Sequence, residues 1–100
     1  MEKALLERDI ENYGVRKMRQ ADILFYKFVS PSRNGVPDRI AMANGRVVFV
    51  ELKRPGGKPR GLQIKVHETM RAHGMDVRVI DSKEGIDALI EELKGSESNG

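Results

Sequence analysis

Three side chains able to act together fall in one short stretch of this chain: Asp38, Glu51 and Lys53. Between the two acids lies Asn44-Gly45, flanked by the runs Arg-Ile-Ala-Met-Ala and Arg-Val-Val-Phe-Val. Asn-Gly between apolar runs is the strongest short-range signal for a hairpin closed by a type I′ turn, which needs positive φ at both central residues. That turn sets the register. Ala43 faces Arg46, Met42 faces Val47, Ile40 faces Phe49, and Asp38 faces Glu51. Strand side chains alternate between faces, so Met42, Val47, Ile40 and Phe49 form a column that ends in Asp38, Glu51 and Lys53. Directly opposed Cβ atoms lie about 5 Å apart, and like charges so placed destabilise a sheet. Two acids in that position call for a proton on one of them or a cation between them.

The opposite face of the hairpin reads Arg39, Ala41 and Ala43 against Val48, Val50 and Leu52, again mostly apolar. Both faces should therefore be covered, with these two strands central and helices on each side. Pro37 has no N–H to offer a ladder and suits the first position of a strand, while Gly35 ahead of it permits close backbone approach.

The remaining elements follow from periodicity. Residues 2 to about 20 predict a helix with a stripe of Leu6, Ile10, Tyr13 and Lys17, with Leu5 and Met18 near it. Gly14 interrupts it, at a cost of roughly 1 kcal/mol against alanine, and marks a bend or close packing. Glu7 and Glu11 sit four apart beside the stripe and read equally well as solvated glutamates. Ile23 to Val29 predicts the first strand, in which Lys27 can sit at an edge with its head in water. Residues 30–35 form a loop whose hydroxyls and Arg33 suit an anion.

After the hairpin, residues 53–61 carry four cations, no acid and five Pro or Gly residues. This predicts a mobile basic loop leaving the Glu51 strand, well placed to hold a phosphate backbone. Leu62 to His73 predicts the second helix, with Leu62, Val66 and Met70 inward and Gly74 as its stop. Gln63 and His67 share a neighbouring face, His67 being read as structural or as a DNA-side contact. Asp76 to Ile80 predicts a strand. Ser82 caps a last helix, Lys83 to Leu93, with Ile86, Leu89, Ile90 and Leu93 inward. Residues 1–94 then make one domain, and 95–100 a disordered tail.

Length and composition fit a single globular domain: 100 residues, 39% apolar and 33% charged. No run is long enough to span a bilayer and no signal peptide opens the chain, so a cytoplasmic, membrane-free location is expected. The absence of cysteine excludes disulfides and thiolate metal sites. Two histidines are too few for a histidine-rich metal site or an HNH-type nuclease. The net charge of +3 is unevenly spread: residues 1–80 hold 16 Lys and Arg against 9 Asp and Glu, residues 81–100 hold 2 against 6. A basic body suits a polyanionic partner, with the acidic last helix turned away from it.

Pro37-Asp38 followed by Glu51-Leu52-Lys53 resembles the PD-(D/E)xK nuclease core. Gly-Val-Pro-Asp, the Val-Phe-Val-Glu-Leu-Lys strand and the downstream Leu62-Gln63 resemble its VRR-NUC family in particular, over residues 5 to 93 or so. The resemblance implies a restriction-endonuclease-like α/β fold, a central mixed sheet flanked by helices in the order α-β-β-β-α-β-α. It implies a Mg²⁺- or Mn²⁺-dependent DNA endonuclease, with Asp38, Glu51, the Leu52 backbone carbonyl and Glu7 (or Glu11) around the cation. Lys53 would orient the attacking water, and Gln63 would stand at the site edge. Lys27, Ser30, Arg33, Arg54, Lys58 and Arg60 are the expected contacts to the DNA backbone. Branched DNA such as a four-way junction is the expected substrate of a stand-alone member, and paired cuts suggest a homodimer. The alternative is a nuclease-like fold used only to bind DNA or protein.

Overall fold

The structure is a computed structural model that describes residues 4–95. Its elements run α1 (Glu7–Gln20), β1 (Leu24–Lys27), β2 (Arg39–Ala43), β3 (Arg46–Leu52), α2 (Leu62–Ala72), β4 (Val77–Ile80) and α3 (Lys83–Gly95). The succession is the expected one. The four strands form one mixed sheet in the order β1-β2-β3-β4. The pairs β1–β2 and β2–β3 are antiparallel, and β3–β4 is parallel across the α2 crossover.

The hairpin forms as its turn dictates. Asn44 and Gly45 have φ of 52° and 77°, and Ala43–Arg46, Met42–Val47 and Ile40–Phe49 are partners. The ladder closes at Arg39–Val50, one rung short of Asp38. Asp38 has left β2, but its backbone carbonyl still accepts the Phe28 N–H at 2.9 Å. The hairpin tip is tied across the molecule by Asn44 Nδ2, which donates to the Leu93 carbonyl at 2.9 Å.

The two sheet faces are covered unequally. Ala41, Val48, Val50 and Leu52 are completely buried, in one core with Ile10 and Met18 of α1 and Ile86, Leu89, Ile90 and Leu93 of α3. The opposite face carries Val77 and Glu51 beneath Val66 and His67 of α2. Beyond them Leu24, Tyr26 and Val47 remain about half exposed. The expectation of two covered faces holds for the α1/α3 side and for the β3–β4 half of the other.

Three helical details differ from the sequence reading. α1 begins at Glu7, where the Leu6 N–H is held by Asp9 Oδ2 at 2.8 Å. Its buried stripe is Ile10, Gly14 and Met18, and Leu5 and Leu6 are exposed. Gly14 is therefore a close-packing residue: an added Cβ would lie 3.0 Å from Ile86 Cδ1. In α2 the buried residues are Val66 and His67, with Leu62 half exposed because the helix starts at the open end of the sheet. β1 is shorter than expected. Ile23 is still bonded back to Met18, and Val29 is exposed beyond the strand. α3 matches expectation, with Ser82 Oγ accepting the Gly85 N–H at 2.9 Å. The expected tail lies outside the described residues except Gly95, which ends α3.

Candidate active site

Glu51 sits near the end of β3, 3% exposed. Gln63, on the first turn of α2, donates from Nε2 to Glu51 Oε2 at 3.0 Å. The amide oxygen of Gln63 accepts from Lys53 Nζ at 3.0 Å and from the Arg60 N–H at 3.3 Å. Lys53 Nζ is itself 3.3 Å from Glu51 Oε2. Glutamate, lysine and glutamine thus form a closed triangle in which the amide fixes both charged groups. Strand alternation explains half of it: Glu51 and Lys53 are two apart and share a face. The start of α2 supplies the rest.

Asp38 joins from the other side of the hairpin. Its Oδ1 accepts the Leu52 N–H at 3.1 Å, in the place where a further rung of the ladder would lie. A strand residue's N–H and C=O share one edge, so the Leu52 carbonyl opens toward Asp38, while Lys53 N–H bonds the Ile80 carbonyl on the opposite edge at 3.0 Å. Burial raises the Asp38 carboxyl above the usual carboxylate range, against the Leu52 N–H, with the charges of Glu7 and Glu11 adding to the rise. Burial also raises Glu51, and the neighbouring Asp38 charge raises it further, with Lys53 pulling the other way.

The fit to a divalent cation can be judged from these groups. The half-buried Asp38 carboxylate repels the buried Glu51 carboxylate, and Glu51 Oε1 has no hydrogen-bond partner. An inward-facing orphan acid oxygen next to a second acid suits a hard cation. No group of three or more His, Cys, Asp or Glu side chains forms a metal cage among the described residues. Asp38, Glu51 and the Leu52 carbonyl fit the Mg²⁺ pattern of few protein ligands completed by water and substrate oxygens.

The other candidates divide clearly. Glu11 is engaged elsewhere: Arg39 Nη2 holds its Oε2 at 2.8 Å, and the same guanidinium binds the Phe25 carbonyl and lies over the Phe25 ring. Glu7 lines a cleft of about 230 Å³ together with Lys53, Arg54, Lys58, Arg60 and Gln63. Three of the expected DNA contacts are thereby brought to the site. Lys27 is not, since it pairs with Arg39 in the register and shares the α1/α3 face. Ser30 and Arg33 lie in the β1–β2 connection, where Arg33 N–H bonds the Ser30 carbonyl and Arg33 is exposed. The basic loop is pinned rather than loose. Gly56 N–H donates to Asp81 Oδ2 at 3.0 Å, and Gly57 N–H closes a turn on the Arg54 carbonyl at 2.8 Å.

The sequence reading gave no site role to Gly35 or Asp81, and took His67 as structural or as a DNA-side contact. Gly35 has φ of +89°, and a Cβ there would lie 3.0 Å from the Leu62 carbonyl, so the loop before Asp38 lies directly against α2. His67 is 1% exposed, with Nε2 3.7 Å from Glu51 Oε1. Gln63 and His67, four residues apart, share a helix face as the sequence indicated, and the fold sets that face beside Glu51.

The chain is 43% identical over 83 residues to "Putative nuclease p44" of Acyrthosiphon pisum secondary endosymbiont phage 1, a match spanning 82% of this chain and 89% of that protein. A solved structure of a VRR_NUC domain superposes with a TM-score of 0.76 at 31% identity, covering 85% of this chain and 94% of that one. No protein-family model matches the chain.

Proposed function

The chain belongs to the VRR-NUC nucleases, and from that premise we propose that it is a Mg²⁺- or Mn²⁺-dependent DNA endonuclease acting on branched substrates. The observation that carries the reading is the triangle of Glu51, Lys53 and Gln63 beside Asp38, opening onto a cleft lined by Arg54, Lys58 and Arg60. A site built only to bind would not need the buried Glu51 to carry the repulsion of the neighbouring Asp38 charge.

Asp38, Glu51 and the Leu52 carbonyl would hold the cation, with Glu7 at the rim. When bound, it supplies positive charge to the scissile phosphate and a more acidic water. Lys53, aimed by Gln63, places an ammonium where negative charge grows on the phosphate and orients the attacking water. Gln63 keeps that ammonium from wandering and holds Glu51 in one rotamer. Arg54, Lys58 and Arg60 bind the sugar–phosphate chain irrespective of sequence.

The test is cleavage of a panel of linear, flapped and four-way DNAs with Mg²⁺, Mn²⁺ or EDTA. Asp38→Ala, Glu51→Ala and Lys53→Ala should each abolish nicking, and junctions should be cut in preference to linear duplex. Activity of Glu51→Ala above a mock-purified control would sink the assignment. A parent that binds the panel without cutting would favour the non-catalytic alternative. Resolving a junction takes two cuts and each chain has one site, so we infer a C2 homodimer. α1 and the basic loop are candidate surfaces, as is the uncovered patch of Leu24, Tyr26 and Val47. Monomeric light scattering under conditions of paired cutting would exclude the dimer.

A further inference from the structure

Arg39 opens β2 directly after Asp38, and its guanidinium joins three elements. Nε and Nη2 donate to Glu11 Oε2 of α1 at 3.3 and 2.8 Å. Nη1 donates to the Phe25 carbonyl of β1 at 3.1 Å. The Arg39 side chain is 12% exposed and that of Glu11 31%, so the pair is partly withdrawn from water and less screened than a surface pair. Apolar packing begins later along α1. Its first buried residue is Ile10, and Leu5 and Leu6 ahead of Glu7 are exposed. The turn that carries Glu7 thus has no core residue of its own. Among the described residues, the Glu11–Arg39 pair is the polar tie between that end of α1 and the sheet. Glu7 lies one turn ahead of Glu11 on the same side of the helix. It lines the cleft with Lys53 and Gln63, and its charge adds to the rise of both Asp38 and Glu51.

We propose that Glu11 and Arg39 are positioning residues for Glu7. Their pair holds the first turns of α1 down on the start of β2, next to Asp38, so that the Glu7 carboxylate stays at the cleft beside Lys53 and Gln63. Without the pair that turn is free to fray, and Glu7 leaves the other two acids. This deepens the nuclease reading and rests on it. Groups that orient a carboxylate around an ion strengthen the site, and their loss weakens it. Neither Glu11 nor Arg39 touches the ion, the substrate or the reacting atoms in this role.

The test compares Glu11→Ala, Glu11→Gln and Arg39→Met, each alone and combined with Glu7→Gln. Alanine removes the acceptor. Glutamine keeps an oxygen for the guanidinium and loses the charge. Methionine keeps the stem of Arg39 and removes its donors, leaving Glu11 ionised and unpaired. Circular dichroism checks folding, and titration of Mn²⁺ by its free-ion paramagnetic signal, without DNA, measures the site directly. Glu7→Gln, Glu11→Ala and Arg39→Met should each weaken Mn²⁺ binding by about tenfold. Glu11→Gln should stay close to the parent. In the Glu7→Gln background neither Glu11→Ala nor Arg39→Met should weaken binding much further, because substitutions that act through one group do not add.

Tighter Mn²⁺ binding by Arg39→Met would mean that Glu11, once released, meets the ion itself, and the proposal falls. It falls equally if the losses from Glu11→Ala and Glu7→Gln simply add, since the pair then acts by another route. If Arg39→Met fails to fold, the comparison of alanine with glutamine at position 11 and the cycle with Glu7→Gln still decide. Parent-like Mn²⁺ binding in folded Glu11→Ala overturns the proposal and leaves the nuclease reading intact. A parent that neither binds Mn²⁺ nor cuts DNA overturns both.

Discussion

Asp38 Oδ1 accepts the N–H of fully buried Leu52 while the Asp38 charge pushes on Glu51. The two roles separate by substitution. Asp38→Asn keeps an oxygen for Leu52 and removes the charge. Asp38→Ala removes both and orphans a buried N–H, which costs about 1–3 kcal/mol. In EDTA, Asp38→Asn should melt no lower than the parent, and Asp38→Ala below both. Mn²⁺ should stabilise the parent by about 2.7 kcal/mol at a hundredfold excess over its dissociation constant, and barely shift Asp38→Asn. Equal shifts would remove Asp38 from the cation site. The pH dependence follows the direction of the shifts. Both acids are raised, so their contribution to metal-free stability is full below the ordinary carboxylate range and is lost as pH rises through the raised values. Glu92 runs oppositely. Arg78 and Arg46 hold it at about 2, so its contribution is present above the ordinary range and lost as pH falls toward that value. Subtracting the Asp38→Asn profile from the parent cancels Glu92. The difference, from urea melts in EDTA, should favour the mutant increasingly above the carboxylate range, and a flat difference would contradict the raised acids.

Among the elements, the basic loop offers a separation of charge from shape. Lys58→Ala and Arg60→Ala should weaken DNA binding at all sequences and lower the slope of log affinity against log salt by about one each. Asp81→Ala removes the anchor of Gly56 but no cation. It should weaken binding through faster dissociation with the salt slope higher than in either lysine or arginine variant. A slope reduced as far as theirs would mean that Asp81 does more than hold the loop. The contact of α1 with α3 makes a second case. Gly14→Leu gains helix propensity worth roughly 1 kcal/mol, yet its side chain must enter space already held by Ile86 and Phe25. A net loss of about 1–2 kcal/mol is expected by urea denaturation, and an unchanged midpoint would show that the helices separate freely. These elements also show what was legible. The hairpin register was, because Asn44-Gly45 leaves one turn geometry, and so was the face shared by Glu51 and Lys53. The angle at which α1 and α2 lie on the sheet was not. That angle decides that Ile10, Gly14 and Met18 are buried in place of Leu6, that Arg39 takes Glu11, and that His67 goes under Glu51. Such choices depend on which faces meet, and periodicity within one helix does not contain them.

Across the whole molecule, the charge pattern broadly matches the architecture: Glu84, Asp87, Glu91 and Glu92 lie on α3, which packs on the face of the sheet opposite Glu51, whereas Asp81 anchors the basic loop. Arg78 and Arg46 meet Glu92 there, closing the end of the sheet far from the cleft. One feature of the sheet reaches beyond the folded state. Asp38, Glu51 and Lys53 belong to a single hairpin, whereas β4 can pair only after the α2 crossover has formed. Hairpins close in about 1–10 μs, and parallel pairing across a crossover is slower. Repulsion between the acids is then already present at the folding barrier. Neutralising it should act on the rate of folding more than on the rate of unfolding. In stopped-flow chevrons, Asp38→Asn in EDTA should raise the refolding limb and leave the unfolding limb nearly in place. Mn²⁺ should accelerate refolding of the parent alone. A shift confined to the unfolding limb would place the meeting of the two acids after the barrier. If the refolding limb moves, the ion assists the chain in reaching its fold before there is a substrate to cut.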